Sequence, residues 1–150
     1  MKQVDDNGDW GDETISGILR RDRKEKLNLN KLIDLSFNLI DAPDGPCKHF
    51  TFIVRKNKIL SIGWNSYSKT HPVSVKFGSA YKFRHSEVHA VSKFPGEPSE
   101  LSRCKLYNTR VNRHGEVCMS RPCKYCLPML VGLNFREVMF TNTNGQWVCL

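Results

Sequence analysis

The chain has no apolar run approaching the roughly 18 residues that a membrane-spanning helix requires, so no such helix is expected. It also lacks a basic start followed by an apolar core. Met1 to Asp12 is acidic and polar, which excludes a secretory leader there and makes the cytoplasm the expected location. Without an export signal, an even set of cysteines loses its usual reading as a disulfide framework. Internal repeats and low-complexity tracts are missing too, which excludes solenoids and repeat arrays. What remains is ordinary for a globular protein: 150 residues, 39% hydrophobic and 25% charged, enough for one domain with its own core.

Charge is uneven. Residues 1–18 carry Lys2 against Asp5, Asp6, Asp9, Asp12 and Glu13, a net −4, so the formal +8 of the whole leaves +12 for the rest. A basic body suits an anionic partner such as a nucleotide, a nucleic acid or an acidic surface, and a merely soluble surface is the plainer reading.

Residues 1–27 read as a flexible or loosely docked tail, with glycines at 8, 11 and 17 and a dense charge cluster from Arg20 to Lys26. The folded domain is expected over 28–150. Leu29, Leu32, Ile33, Leu35, Phe37, Leu39 and Ile40 mark an amphipathic helix stopped by Pro43, Gly45 and Pro46. Strands are expected at His49–Arg55 and Ile59–Trp64 around a turn at Lys56–Asn57–Lys58. A polar loop then leads to a helix at His85–Phe94, a strand at Lys105–Val111, and a helix at Pro122–Val131 with Pro122 at its first position and Gly132 at its end. Two short strands, Glu137–Thr141 and Gln146–Cys149, flank Asn142–Gly145. This order predicts an α/β fold: a three-layer α/β/α sandwich around one mixed sheet of about five strands. The final connection is too short for a parallel crossover, so the last two strands, if neighbours, run antiparallel.

Two motifs carry chemistry: His85-Ser86-Glu87 and Pro122-Cys123-Lys124-Tyr125-Cys126. Together they match the zinc deaminase pattern H-x-E…P-C-x-x-C. A catalytic zinc takes three protein ligands and keeps one position for water, which His85, Cys123 and Cys126 would satisfy. Glu87 is placed to shuttle protons without ligating the metal. A structural zinc site would instead need a fourth ligand, with Cys104 and Cys118 available. His89 is a rival to His85 that reads better as a packed or surface histidine, and His49, His71 and His114 have no ligand-spaced partner.

On these residues the chain resembles the cytidine deaminase superfamily. His85-Ser86-Glu87-Val88-His89-Ala90 is similar to the His-Ala-Glu-x-x-Ala of deoxycytidylate and tRNA adenosine deaminases, with Ser86 in place of the usual alanine. Ser120-Arg121-Pro122-Cys123 through Cys126 resembles the family's second motif. Gly63-Trp64-Asn65 resembles the Gly-x-Asn placed beside the substrate sugar, and Ile59 to Asn65 with Thr70-His71-Pro72 is similar to small deaminase-like proteins encoded by bacterial viruses. The resemblance covers roughly 29–150 and implies a cytidine deaminase-like fold, a zinc cofactor, and a homo-oligomer. It also implies Asn65 on the ribose and backbone near Ser86 and Cys123 facing the base. An antiparallel last strand resembles the cytidine deaminase branch and the plant RNA-editing domains that carry His-Ser-Glu. The chain's end at Leu150 leaves no room for the extra C-terminal helices of the other branches, so motif and topology point to different branches.

Three functions follow. The first is hydrolytic deamination of a cytosine-bearing nucleoside or nucleotide. A monophosphate is favoured, its phosphate met by Lys82 and Arg84 in the loop that runs into His85. The second is deamination of single-stranded DNA or RNA, because Lys69, Lys76, Lys82 and Arg84 alternate with Tyr67, Phe77, Tyr81 and Phe83. The third is a non-catalytic zinc module that binds nucleic acid.

Overall fold

The computed structural model describes residues 27–69 and 83–150. The expected tail lies outside the described residues except for Leu27, as do Lys76, Phe77, Tyr81 and Lys82 of the loop. The chain begins with helix α1 (Leu29–Asn38), capped by Asn28, whose Oδ1 accepts the Asn30 N–H at 2.9 Å. Strands β1 (Lys48–Arg55) and β2 (Lys58–Trp64) follow. Lys56 and Asn57 between them both have left-handed backbone, with φ of 50° and 63°. That is the two-residue turn whose twist matches a hairpin.

Helix α2 (Ser86–Ser92), a 3-10 helix (Pro98–Arg103), strand β3 (Lys105–Val111), helix α3 (Leu127–Leu133), and strands β4 (Glu137–Thr141) and β5 (Trp147–Cys149) complete the order. The sheet runs β2-β1-β3-β4-β5. β4 lies parallel to β3 after the α3 crossover, and β5 lies antiparallel to β4, as the short connection required. Among the described residues no helix is long and apolar enough to cross a membrane.

Strand alternation sorts the two faces. Phe50, Phe52 and Val54 of β1, with Tyr107 and Val111 of β3, pack on Leu32, Leu35 and Leu39. Ile53 and Leu106 face the other way, towards Ala90, Val88, Leu101 and Met129 of the second layer. Helices on both faces of one mixed sheet make the expected three-layer α/β/α sandwich.

Two local expectations need correction. The 95–103 segment, between the expected helix and strand and given no element of its own, holds the 3-10 helix, which seats Leu101 in the core. The helix expected at Pro122–Val131 starts instead at Leu127. Pro128 has no N–H to give the Lys124 carbonyl, so a helix begun at Pro122 could not continue through it. Pro128 sits in the first turn of α3, where the missing donor costs nothing. Gly132 is helical, and Asn134 (φ 57°) takes the left-handed closing position instead.

Candidate metal and catalytic site

Helix α2 carries the first half of the site. Its closeness to the sheet depends on Gly63: a Cβ there would lie 2.2 Å from the Ala90 nitrogen and 2.4 Å from the Ser86 carbonyl. Glycine alone lets the helix backbone lie this close to β2. The helix is consequently buried from Ser86 through Ala90. His85 caps it with extended backbone, so its imidazole stands at the helix mouth.

The second half is the Cys123–Cys126 turn, closed by bonds from the Cys126 and Leu127 N–H groups to the Cys123 carbonyl. His85 Nδ1 lies 3.5 Å from Cys123 Sγ and 3.3 Å from Cys126 Sγ. These three side chains form a group that could hold a metal ion, with ligand atoms all within 4.8 Å of one another. A tetrahedral zinc with its usual sulfur and nitrogen bond lengths has an N–S edge of about 3.6 Å, so the triad fits such an ion. Among the described residues neither Cys118 nor Cys104 joins the group. Cys104 is buried beside Ile53 and Leu101, and Cys118 bonds near Asn112 and Glu116.

Of the three groups, Cys123 is drawn toward the deprotonated form that a metal takes, while Cys126 and His85 are shifted toward holding their protons. A hydrogen bond from Cys126 outweighs burial and, with bonds from His85 and backbone N–H groups, draws the Cys123 thiol down to about 3. Cys126 is pushed up by its bond to Cys123, by burial and by the nearby Glu87. The bond to Cys123 raises His85 despite its burial. Cys126 is the N-cap of α3, and Cys123 lies in the turn just before it.

Glu87 is only 5% exposed, and its Oε1 accepts from the Ser86 hydroxyl at 2.8 Å. Ser86 Oγ is 2.8 Å from Thr51 Oγ1, which is 2.7 Å from Asn108 Oδ1. Asn108 Nδ2 donates to the Ser120 carbonyl at 3.3 Å, and the Ser120 hydroxyl donates back to the Asn108 carbonyl at 2.8 Å. A buried polar chain thus ties the Glu87 helix to the irregular segment that feeds the cysteine turn, crossing β1 and β3 where Thr51 and Asn108 pair.

Glu87, His85 and Cys123 border a cavity of ≈160 Å³ that is also lined by His49, Asn65, Ser86, Asn108 and Arg121. Asn65 reaches it with both ends of its amide engaged: Oδ1 accepts from His49 N–H and Nδ2 donates to the Cys47 carbonyl, each at 2.9 Å. Arg84 lines the cavity too, yet its guanidinium is buried, with one Nη 3.5 Å from the Trp64 carbonyl. Lys82 lies outside the described residues. Tyr67 and Phe83 meet at the rim, ring centroids 5.1 Å apart and each about 40% exposed.

His89 is packed. Its Nδ1 accepts the Trp64 N–H at 3.1 Å, and burial with the charges of Arg84, Lys93 and Lys69 holds its pKa down to about 2.

Two lining features escaped the sequence reading. His49 has no ligand-spaced neighbour in sequence, but alternation puts it on the Thr51 face of β1, against the cavity. Burial, Arg110 and His85 bring its pKa to about 4. Asp44 pins the rim, taking bonds from the Ser66 and Ser68 hydroxyls and the Tyr67 N–H. Burial raises its pKa, but these bonds prevail and bring it to about 2. No periodic signal marks an aspartate in a Pro-Asp-Gly turn as the anchor of a segment 22 residues away.

No family model matches the chain, and no curated protein sequence matches it. Among solved structures it is similar to the cytidine deaminase from Burkholderia pseudomallei, with a TM-score of 0.56 and 16% identity over 83% of this chain and 92% of that one. At that identity the likeness speaks for architecture: the chain has a cytidine deaminase-like fold.

Proposed function

We propose that this protein is a zinc-dependent hydrolytic deaminase acting on a cytosine-bearing nucleoside or nucleotide. The observation that carries the reading is the grouping of His85, Cys123 and Cys126 beside a cavity that His85, Cys123 and a buried Glu87 line. The three would hold zinc, which when bound supplies a Lewis acid that makes water nucleophilic near neutral pH. Water adds to C4 of the ring, and the C4–N bond breaks to release ammonia and leave a uracil product.

Glu87 takes the proton of the attacking water on a carboxylate oxygen, then delivers protons to the ring nitrogen and to the departing amine. The Ser86–Thr51–Asn108 chain suits that work by orienting the carboxylate: the Ser86 hydroxyl donates to Oε1, and Thr51, held against Asn108, keeps Ser86 in place. Asn65, beside the cavity with its amide fixed in place, is the residue assigned to the sugar.

The exposed Tyr67–Phe83 pair at the rim favours a second reading, a single-stranded nucleic acid whose neighbouring base stacks there. The test is a panel of cytidine, deoxycytidine, their monophosphates, adenosine and single-stranded DNA or RNA, read by ammonia release and a one-dalton mass gain. Turnover of free cytosine nucleosides or nucleotides is expected, with a lower KM for the monophosphate. Equal KM values would remove the phosphate preference. Activity confined to strands, steeply lost with salt, would move the assignment to nucleic acid.

A further inference from the structure

A second cavity, of ≈390 Å³, lies at the other end of the sheet. His49 borders the candidate catalytic cavity and Arg55 borders this one. Arg55 is six positions beyond His49 in the strand, roughly 20 Å along β1. A phosphate on a substrate seated at Glu87 cannot serve both places.

The lining of this second cavity is unbalanced. Arg55 and Lys56 come from the hairpin, Arg103 and Lys105 from the entry to β3, and Arg136 from the entry to β4. Among the described residues no carboxylate lines it. Lys105 has a partner in Glu137 at 3.1 Å, whereas Arg55, Lys56, Arg103 and Arg136 make no ion pair among the described residues. Its floor is Val54, Tyr107 and Leu29. Cations gathered over a concave apolar floor repel one another and focus a positive potential into the recess. Arginine forks match phosphate oxygens in pairs of hydrogen bonds. Four cations that make no ion pair among the described residues, gathered around one compact recess, call for several negative charges close together, not for a single phosphate or an extended strand.

We propose that this cavity binds an oligophosphate anion, free or carried by a nucleotide, at a site separate from the deamination centre. Equilibrium dialysis of the full chain against labelled adenosine triphosphate at low salt tests it. One bound per chain is expected, displaced by unlabelled tripolyphosphate and not by adenosine. Equal competition by tripolyphosphate assigns recognition to the phosphates alone, and weaker competition adds a contact to the nucleoside; both sustain the site. Arg55→Ala with Arg136→Ala should weaken binding at least about tenfold. Arg55→Lys with Arg136→Lys should recover part of it, and thermal melts should show all forms folded. Glu87→Gln should leave binding unchanged, so the inference survives even if the protein deaminates nothing. Displacement by adenosine, unaltered binding in the double-alanine variant, or a single-stranded oligonucleotide that binds here and resists tripolyphosphate would each overturn it.

Discussion

The two faces of the central sheet are built on different terms. On the α1 face, Phe50, Phe52 and Val54 meet Leu32, Leu35 and Leu39, and the polar pair buried there, Ser36 and Thr109, bonds to itself. On the α2 face the same strands change character along their length. Ile53 and Leu106 are apolar at the end near Cys104, and one step of the alternation away Thr51 and Asn108 are polar beneath Glu87. Shape and volume set the first face. Complete hydrogen bonding sets the second, because a buried polar group left unpaired costs about 1–3 kcal/mol. The catalytic end of this sheet is therefore specified by partners and the dry face by packing.

Truncating the dry face should hurt stability most and the site least. Phe52→Ala removes a fully buried ring, and a loss of about 3–5 kcal/mol in unfolding free energy is expected, with the metal triad intact in whatever fraction folds. Urea unfolding with parallel zinc analysis checks this. A loss under 1 kcal/mol would mean that this face is not the packed core described.

Thr51→Val reverses the emphasis. It keeps volume but strands Ser86 and Asn108 without their shared hydroxyl. We expect kcat to fall about tenfold with KM nearly unchanged and only a modest stability loss, and Thr51→Ser to restore turnover. Equal damage from the serine and valine forms would show that the methyl group matters and the hydroxyl does not.

Acid should separate the faces more gently. His49 and His89, both on the α2 side, are held neutral when folded, at about 4 and about 2, against about 6.5 for an unfolded histidine. Below about pH 6.5 the unfolded chain binds protons that the folded chain refuses, so stability falls with pH, until about 4 for His49 and lower still for His89. Asp44 acts only below about 3.8, where its lowered carboxyl loses its own contribution. Denaturant midpoints at pH 7.5, 6 and 5 should decline steadily, and a flat profile over that range would contradict the assignment of both imidazoles as neutral.

Much of this was legible in the sequence because it depends on local spacing. The His85-x-Glu87 and Cys123-x-x-Cys126 pairs, the hairpin and the antiparallel last strand each follow from a few neighbouring residues. The cysteine turn was misread because Pro122 resembled a helix start, whereas Pro128 six residues on was the proline that fixed where α3 begins. Thr51 and Asn108 were invisible for a different reason. They are partners only once β1 and β3 are in register, and no local pattern encodes a pair 57 residues apart. His49 fell to the same limit: its strand was read correctly, but which face meets the metal triad is decided by where α2 packs. Arg84, read as a substrate contact, does border the cavity, but with a buried guanidinium turned to the Trp64 carbonyl at the end of β2.

The proposed deamination depends on Glu87 acting beside a metal that other residues hold. Glu87→Gln should bind zinc at one per chain, melt with the unmodified protein, and release ammonia from the preferred cytosine substrate at least about 10²–10⁴-fold more slowly. A Glu87→Gln protein that keeps its zinc and deaminates at a near-normal rate would contradict the assignment of Glu87 as the proton shuttle.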